Sequence, residues 1–488
     1  MTRTLVAGVD SSTQSCKVEL RDAETGEFVS SGTAPHPQVF PPISEQDPAA
    51  WWEAFTLAFR NALHASGAAP GSVRAISVAA QCHGLVALDG RDRVLRPAKL
   101  WNDTTSTPEL TELRQQLGDR SIVEAVGTLP TAAFTISKVA WLAHHEPDTF
   151  AQTQSFLLPH DYLTFRLTGA KTTDRSEASG TGYFNADTNK YLLDFLAAID
   201  EHRNWAPQLP TVLGPDDTAG TVLPDVLGEL GLSGDVLVGA GGGDQHATAL
   251  GLGIVPGDVV YSFGTSGVVS ALSRTAVHDY DGAVDGVADM TDGFMPLCST
   301  LNAARVTDTF ARVLGVDHHE LARLALEAPV DRTGPVLAAF LDGERTPDRP
   351  AATGTLTGIT TGTTREEVAR AAFEGVILGL VSGQRNLERM HVATNGTVLA
   401  VGGGSRSTAY TQLLADALQR PVFVADVEEA TARGAAVQAA AIATSTTVAD
   451  TRTAWTPTTR IAAEPRSVNR DPETRYAAVA GLIALDRQ

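Results

Sequence analysis

Asp235-Val-Leu-Val-Gly-Ala-Gly-Gly-Gly-Asp244-Gln245 carries the reading of this chain. A short, β-branched apolar run bounded by glycines reads as a buried strand rather than a helix. The glycines permit unusual backbone angles and close approach of a ligand. The strand therefore delivers one carboxylate, Asp244, into a crevice that no side chain blocks. Aspartate is also a favoured helix N-cap, and an alanine-containing stretch follows, so a capping role stands beside a catalytic one.

Outward from that stretch, strands alternate with helices, which implies α/β layers. Leu5-Val-Ala-Gly-Val9 is an apolar strand and Asp10-Ser-Ser-Thr-Gln-Ser15 a small polar turn. Lys17-Val-Glu-Leu20 begins the return strand. Trp51, Trp52, Phe55, Ala58, Phe59, Ala62 and Leu63 follow Asp47-Pro48 at helical spacing, which predicts a helix with Trp51 and Trp52 as core anchors. Ala75-Ile-Ser-Val-Ala79 is a further strand, ending at Gln81-Cys82-His83-Gly84. The second half repeats the theme: strand Asp258–Ser262, turn Phe263-Gly264-Thr265-Ser266-Gly267, return strand Val268–Leu272. A duplicated architecture follows, divided near residue 247 into domains 1–247 and 248–488. Glu366 to Arg389 and Tyr410 to Gln419 are predicted helices, and Val398-Leu-Ala-Val401 a strand running into Gly402-Gly403-Gly404. The Thr/Ala/Pro-rich stretch 444–466 reads as a loop or linker, and Pro472 to Leu485 as a C-terminal helix.

A chain of 488 residues has room for two or three domains with ample cores. Its formal net charge of −20 argues against nucleic acid or an anionic membrane as partner, since both require a basic face. It does not oppose a nucleotide, because a few local N–H groups and one cation hold phosphates. Cys16, Cys82 and Cys298 form neither a disulfide framework nor a zinc spacing, which points to a reducing cytoplasm. The N-terminal stretch lacks a signal-peptide pattern, and no apolar run reaches the ~18 residues of a membrane span.

Backbone N–H groups and hydroxyls in tight turns between strands suit phosphate oxygens. One such turn is as readily an ordinary hairpin, but here two occur, together with a glycine-rich strand-to-helix turn at 402–404. That turn is a weak nucleotide signal alone, and the chain has neither a P-loop lysine motif nor a Rossmann fingerprint in place. Phosphoryl transfer to an alcohol needs a metal to offset phosphate charge and a base for the hydroxyl proton. Asp10 and Asp244, each at a strand end, are candidates to divide those roles.

These residues resemble the FGGY carbohydrate kinases nearly end to end. The matching stretches are Gly8-Val-Asp10-Ser-Ser-Thr13, Gln81-Cys-His83-Gly84, Trp101-Asn102-Asp103, Leu158-Pro-His-Asp161-Tyr162, Gly241-Gly-Gly-Asp244 and Ser262-Phe-Gly264-Thr265-Ser266-Gly267. Leu341-Asp-Gly343-Glu344-Arg345-Thr346-Pro347, Val401-Gly402-Gly403-Gly404-Ser405-Arg406-Ser407 and Gln412-Leu-Leu-Ala-Asp416 complete the set. The resemblance implies an α/β fold of two actin-like (sugar kinase/Hsp70, ribonuclease H-like) domains with an interdomain cleft. It implies ATP and Mg2+ as cofactors, a small-molecule sugar as partner, and a homodimer as a candidate assembly. By the same resemblance Asp244 is the general base, and Asp10 and Thr13 belong to a first phosphate loop, with Asp10 acting on the metal. Gly264, Thr265 and Ser266 form a second phosphate loop, Gly402, Gly403 and Gly404 sit against adenosine, and Cys82, His83, Asp103 and Gln245 line the sugar site.

Within the family the sugar-side stretches, including Ser176-Glu-Ala-Ser-Gly180-Thr, are most similar to those of the xylulokinases, which implies D-xylulose as acceptor. The Arg-Glu pair expected of a glycerol kinase near 82–84 is absent. Three positions depart from the usual pattern: Ser12 where glycine is common, Gln245 where Asn is common, and Glu177 where Asp is common. Gln245 keeps another ketose or polyol open as substrate, and a nucleotide-binding module without turnover is the reading from outside the enzyme class. Simpler roles also stand beside the implied ones: His83 as a hydrogen-bonded interior histidine, Cys82 as a buried small hydrophobe, and Glu344-Arg345 as a turn-stabilising pair near the cleft; Lys17 and Lys138 read either as contacts to an anionic ligand or as solvated or paired surface charges.

Overall fold

The computed structural model describes residues 3–329, 334–466 and 472–481. Two seven-stranded mixed sheets organise it. The first runs in the order Thr218–Thr221, Leu237–Gly239, Val73–Ala80, Leu5–Ser11, Ser15–Asp22, Phe28–Pro35, with Gly242–Gly243 also pairing with Val73–Ala80. The second runs Asp285–Ala288, Phe294–Thr300, Gly267–Ala271, Val259–Phe263, Val398–Val401, Val422–Ala425, Thr459–Ala463. In each, a central strand is antiparallel to its successor across a short hydroxyl-bearing turn and parallel to a third strand. The duplication read from the two polar turns is thus a repeated sheet topology.

Alternation along the first strand sorts its side chains to two faces. Leu5, Ala7 and Val9 join a core with Trp51, Phe55 and Phe59 of the helix Pro48–Ser66. That helix starts where Asp47 accepts the Ala49 N–H, with Pro48 in its first turn. Val6 faces the other way and packs with Ala435, Ala436 and Ala440 of the helix Ala430–Thr444. This second helix comes from the C-terminal half of the chain but lies on the first sheet.

Its approach is unusually close. A Cβ on Gly8 would lie 1.9 Å from the Ala432 carbonyl oxygen. One on Gly434 would lie 1.8 Å from the Ala247 oxygen, and one on Gly251 1.9 Å from the Ala430 oxygen. Backbone therefore rests on backbone where the Ala430–Thr444 helix meets the first strand and the helix Asp244–Gly251. The latter runs through the division read at residue 247. Elsewhere the halves are joined by Gly286 N–H to the Gly127 carbonyl at 3.0 Å and Ala288 N–H to the Ser179 hydroxyl at 3.1 Å.

The long helix (Arg365–Arg389) and its neighbour (Thr408–Leu418) form as their periodicity predicts. The linker expected over 444–466 is a correction: it contains a helix, Val448–Ala454, and the edge strand Thr459–Ala463. Its Thr-rich composition conceals a cap and two anchors. Thr447 accepts the Asp450 N–H, while Val448 and Trp455 are buried. The C-terminal helix is described over Pro472–Ala480; its expected continuation to Leu485 lies outside the described residues. Among the described residues no helix is long and apolar enough to cross a membrane.

Gly434→Ala tests the backbone contact. Alanine gains about 1 kcal/mol of helix propensity over glycine, but its methyl would occupy the space of the Ala247 oxygen, and overpacking typically costs about 1–3 kcal/mol. A net loss of stability is expected, read as a lower denaturation midpoint. An increase would contradict the contact.

Candidate active site

Three strand ends of the first sheet deliver the candidate residues to one edge. Asp10 and Gly242 both pair with Ala79, and Ser11 and Gly243 both pair with Ala80. With strands ≈ 4.7–4.9 Å apart, this puts the Asp10 and Gly242 backbones about 10 Å apart. Asp10, Gln81, Cys82 and Asp244 therefore emerge side by side outside the carboxyl ends of parallel strands, where open α/β sheets hold ligands.

Asp244 is the first residue of its helix, with Gly243 at the cap position. Its Oδ1 accepts the Gln245 N–H at 2.7 Å and the Cys82 thiol at 3.6 Å. No described residue donates to Oδ2. Burial pushes the Asp244 carboxyl up to about 6, against the pull of the Gln245 and Cys82 hydrogen bonds. Asp10, 5% exposed, accepts the Ser12 hydroxyl at 2.6 Å. Burial pushes Asp10 to about 7, the Ser12 bond pulls it down, and the Asp244 charge adds to the rise. The charge of Asp244 thus reaches Asp10 on the same edge of the sheet. Ser12, which departs from the glycine common in the family, spends its hydroxyl on Asp10.

The loop holding the Gly241–Gly243 run is fixed from the other half. Gln438, on the Ala430–Thr444 helix, accepts the Gly241 N–H at 2.8 Å and donates to the Gly241 carbonyl at 3.3 Å. Its oxygen also accepts the Ser77 hydroxyl at 2.6 Å. Lys17 and Glu429 form a second tie between the halves, at 2.7 Å. Both are about one-third exposed, so this pair contributes little to stability.

The first polar turn is tied to two neighbouring loops. The Thr13 hydroxyl donates to Gln81 Oε1 at 3.0 Å and accepts Trp101 Nε1–H at 3.0 Å. Thr13 thus links the turn to both Gln81-Cys82-His83 and Trp101-Asn102-Asp103. His83 adopts a left-handed backbone, φ 66°, sparsely used by non-glycine residues and typical of strained functional positions. Its ring stacks on Phe134 at 4.7 Å between centroids, and Nδ1 faces the Gly180 carbonyl at 2.7 Å. Burial holds the His83 imidazole down at about 3. A neutral ring donates Nδ1–H to that carbonyl and leaves Nε2 as an acceptor.

Asp103 is fully buried with both oxygens engaged. Oδ2 accepts the Ser44 N–H at 2.8 Å, and Oδ1 takes Lys99 Nζ at 3.2 Å and the Thr105 N–H at 3.0 Å. It shapes the loop that carries Trp101. Gln245 is exposed, and its backbone N–H is the group that Asp244 holds. Lys138 is a correction: it is fully buried, not a surface charge. Its ammonium donates to the Ala132 carbonyl at 3.0 Å and to those of Ala133 and Phe134. Burial brings it down to about 7. It braces the turn bearing Phe134, a role no periodicity announced. The Glu344–Arg345 turn lies within the second domain, where Glu344 accepts the Leu301 N–H at 2.9 Å and the Asn302 amide at 3.0 Å.

On the second sheet, Thr265 and Ser266 sit exposed at the tip of the turn joining Val259–Phe263 to Gly267–Ala271. The glycine run lies beside it. Gly402 has φ 81°, and a Cβ there would meet the Phe263 oxygen at 2.8 Å, while nothing lies within 4 Å of a Cβ on Gly403. The run is anchored to the turn's strand on one side and open on the other.

The chain belongs to the FGGY family of carbohydrate kinases: the model of the family's N-terminal domain matches residues 5–251 and that of its C-terminal domain 259–443. The chain is 40% identical over 484 residues to the xylulose kinase of Streptomyces rubiginosus, covering 98% of this chain and 96% of that protein. Its structure is similar to that of xylulose kinase from Bifidobacterium adolescentis, with TM-score 0.87, 37% identity, and 98% and 100% of the two chains covered. Plasmodium falciparum glycerol kinase with ADP shares the fold at TM-score 0.86 and 19% identity, over 99% of both chains.

Proposed function

We propose that this chain transfers the γ-phosphoryl group of ATP to D-xylulose, giving D-xylulose 5-phosphate, with Asp244 as general base. The observation that carries the reading is the division of labour within one carboxylate. Asp244 Oδ1 is held by Gln245 N–H and the Cys82 thiol, so Oδ2 is directed and free to take a hydroxyl proton. A carboxyl raised to about 6 is still mostly ionised at neutral pH and more basic than an ordinary aspartate, as a general base should be.

Residues 1–247 supply the sugar site and first phosphate loop, and 248–488 the second phosphate loop and adenosine site. The neutral His83 ring offers Nε2 to a sugar hydroxyl, and Asp103 acts through the loop that carries Trp101. Thr265, Ser266 and the backbone of Gly264 face the phosphates, and the open side of Gly402–Gly404 accepts adenosine. Among the described residues no three His, Cys, Asp or Glu side chains form a self-sufficient metal site. A single carboxylate such as Asp10 suits Mg2+, which is typically held by one or two carboxylates together with substrate phosphates and water. Bound there, the metal would offset phosphate charge as the γ-phosphoryl group moves. Three free cysteines, Cys16, Cys82 and Cys298, support a cytoplasmic setting.

Asp244→Asn removes the base and keeps the shape. Turnover should fall by roughly 10²–10⁴-fold with D-xylulose binding largely kept, measured by coupled ADP release and calorimetry; near-normal turnover would sink the assignment. The pH dependence follows from the same group. Because its carboxyl is raised to about 6 and must be ionised to act, kcat/KM should be level above that pH and decline as pH falls through it. A limb centred near the ordinary aspartate value would contradict the site described.

Gln245 favours a second reading, another ketose or polyol, because its exposed amide arm reaches farther than asparagine would. A screen of pentuloses, hexuloses and polyols by relative kcat/KM decides between them. D-xylulose is expected to lead, and a different sugar leading by tenfold or more, about 1.4 kcal/mol of discrimination, would replace it.

A further inference from the structure

Behind Asp244 lies a buried polar cluster of which this mechanism uses only the Cys82 thiol. Glu177, Cys82 and His246 converge on Gly243: a Cβ there would lie 2.6 Å from Glu177 Oε1, from Cys82 Sγ and from His246 Nδ1. Glu177 is 1% exposed, and neither of its oxygens accepts a hydrogen bond from a described residue. His160 Nδ1 stands 3.9 Å from Oε2, beyond hydrogen-bond reach. An ionised carboxylate without donors is costly to bury and keeps its proton instead. Burial holds the Glu177 carboxyl well above the usual range; the Cys82 thiol opposes this, and Asp174, Asp161 and Asp244 add to the rise. The titratable groups around Glu177 are those three aspartates, His160, His246 and Cys82.

The Cys82 thiol crowds the same point as Glu177 Oε1, each 2.6 Å from where a Cβ on Gly243 would lie. It has one proton, and that proton points to Asp244 Oδ1 at 3.6 Å. The sulfur is left as an acceptor, and Glu177, if protonated, is the donor beside it. We propose that Glu177 is a positioning residue for phosphoryl transfer: as a neutral carboxylic acid it donates to the Cys82 sulfur, which fixes the thiol that donates to Asp244 Oδ1. The carboxylic acid, thiol and carboxylate then form one directed chain. It holds the base without a second negative charge, which would raise the base further. The inference rests on Asp244 being the base.

The test compares Glu177→Gln and Glu177→Leu in the full chain, with Asp244→Asn as control. Readouts are kcat, KM for D-xylulose and ATP, the acid limb of kcat/KM, and the thermal midpoint. Glutamine is neutral and keeps an N–H donor, so it should restore most of the turnover and leave the limb in place. Leucine removes the donor. Its kcat should drop about tenfold, the scale of one lost hydrogen bond to a charged network, with the acid limb moved to higher pH and KM for ATP unchanged. Glutamine as damaging as leucine would overturn the proposal, because Glu177 would then act as an anion. Leucine with wild-type kcat and limb but a lowered thermal midpoint would also overturn it, leaving packing alone. If that result accompanies an inactive Asp244→Asn, only the Glu177 role falls; an active Asp244→Asn removes the base reading itself. Should leucine not fold, infrared spectra near neutral pH decide: a protonated-carboxyl C=O band present in wild type and missing in Glu177→Gln supports the proposal, and no such band overturns it.

Discussion

The contact on which the rest depends is backbone against backbone. The Ala430–Thr444 helix meets the first strand at Gly8 and the Asp244–Gly251 helix at Gly251 and Gly434, where no side chain would fit. Alanines around those glycines let the helix lie flat on the first sheet, and burial of its apolar faces favours that position. The consequence is positional. A helix belonging to the second half of the chain fixes the helix that begins with Asp244, and through Gln438 it also fixes the peptide of Gly241. The chemistry-bearing carboxylate is therefore located by both halves of the molecule.

That geometry explains the electrostatics of the cleft. Asp10 and Asp244 arrive from strand ends on either side of Val73–Ala80, at one level of the sheet, and both are raised chiefly by burial. Their local partners differ. Asp10 has a hydroxyl on one oxygen and faces the first polar turn. Asp244 has a peptide N–H and a thiol on one oxygen and an open second oxygen. Two carboxylates of one residue type thus differ in what surrounds them, in keeping with the separate roles proposed for them, Asp10 toward the phosphates and Asp244 toward the acceptor hydroxyl.

The framework was legible in the sequence because it is written in local chemistry. Apolar strands ending in Asp10, in Gln81-Cys82-His83 and in Asp244, two hydroxyl turns, and the helix after Asp47-Pro48 all stand where their patterns place them. What escaped depends on contacts distant in sequence. Lys138 reads as an exposed lysine because nothing local shows the three carbonyls that enclose it. Asp103 carries a family motif, yet its oxygens are consumed by Ser44, Lys99 and Thr105. Glu177 was visible as a departure from the common residue. Its isolation beside Cys82 required the fold, since Ser176, Gly243 and His246 come together only there. The stretch 444–466 misled by composition, which masked a short capped helix and an edge strand.

A structure of the complex with D-xylulose and a non-hydrolysable ATP analogue would test the central claim most directly. The account predicts the sugar's terminal hydroxyl within hydrogen-bond distance of Asp244 Oδ2, with Oδ1 still held by the Gln245 N–H. A complex in which that hydroxyl lies nearest another group, or in which Asp244 turns Oδ1 toward the sugar and releases Gln245, would contradict it.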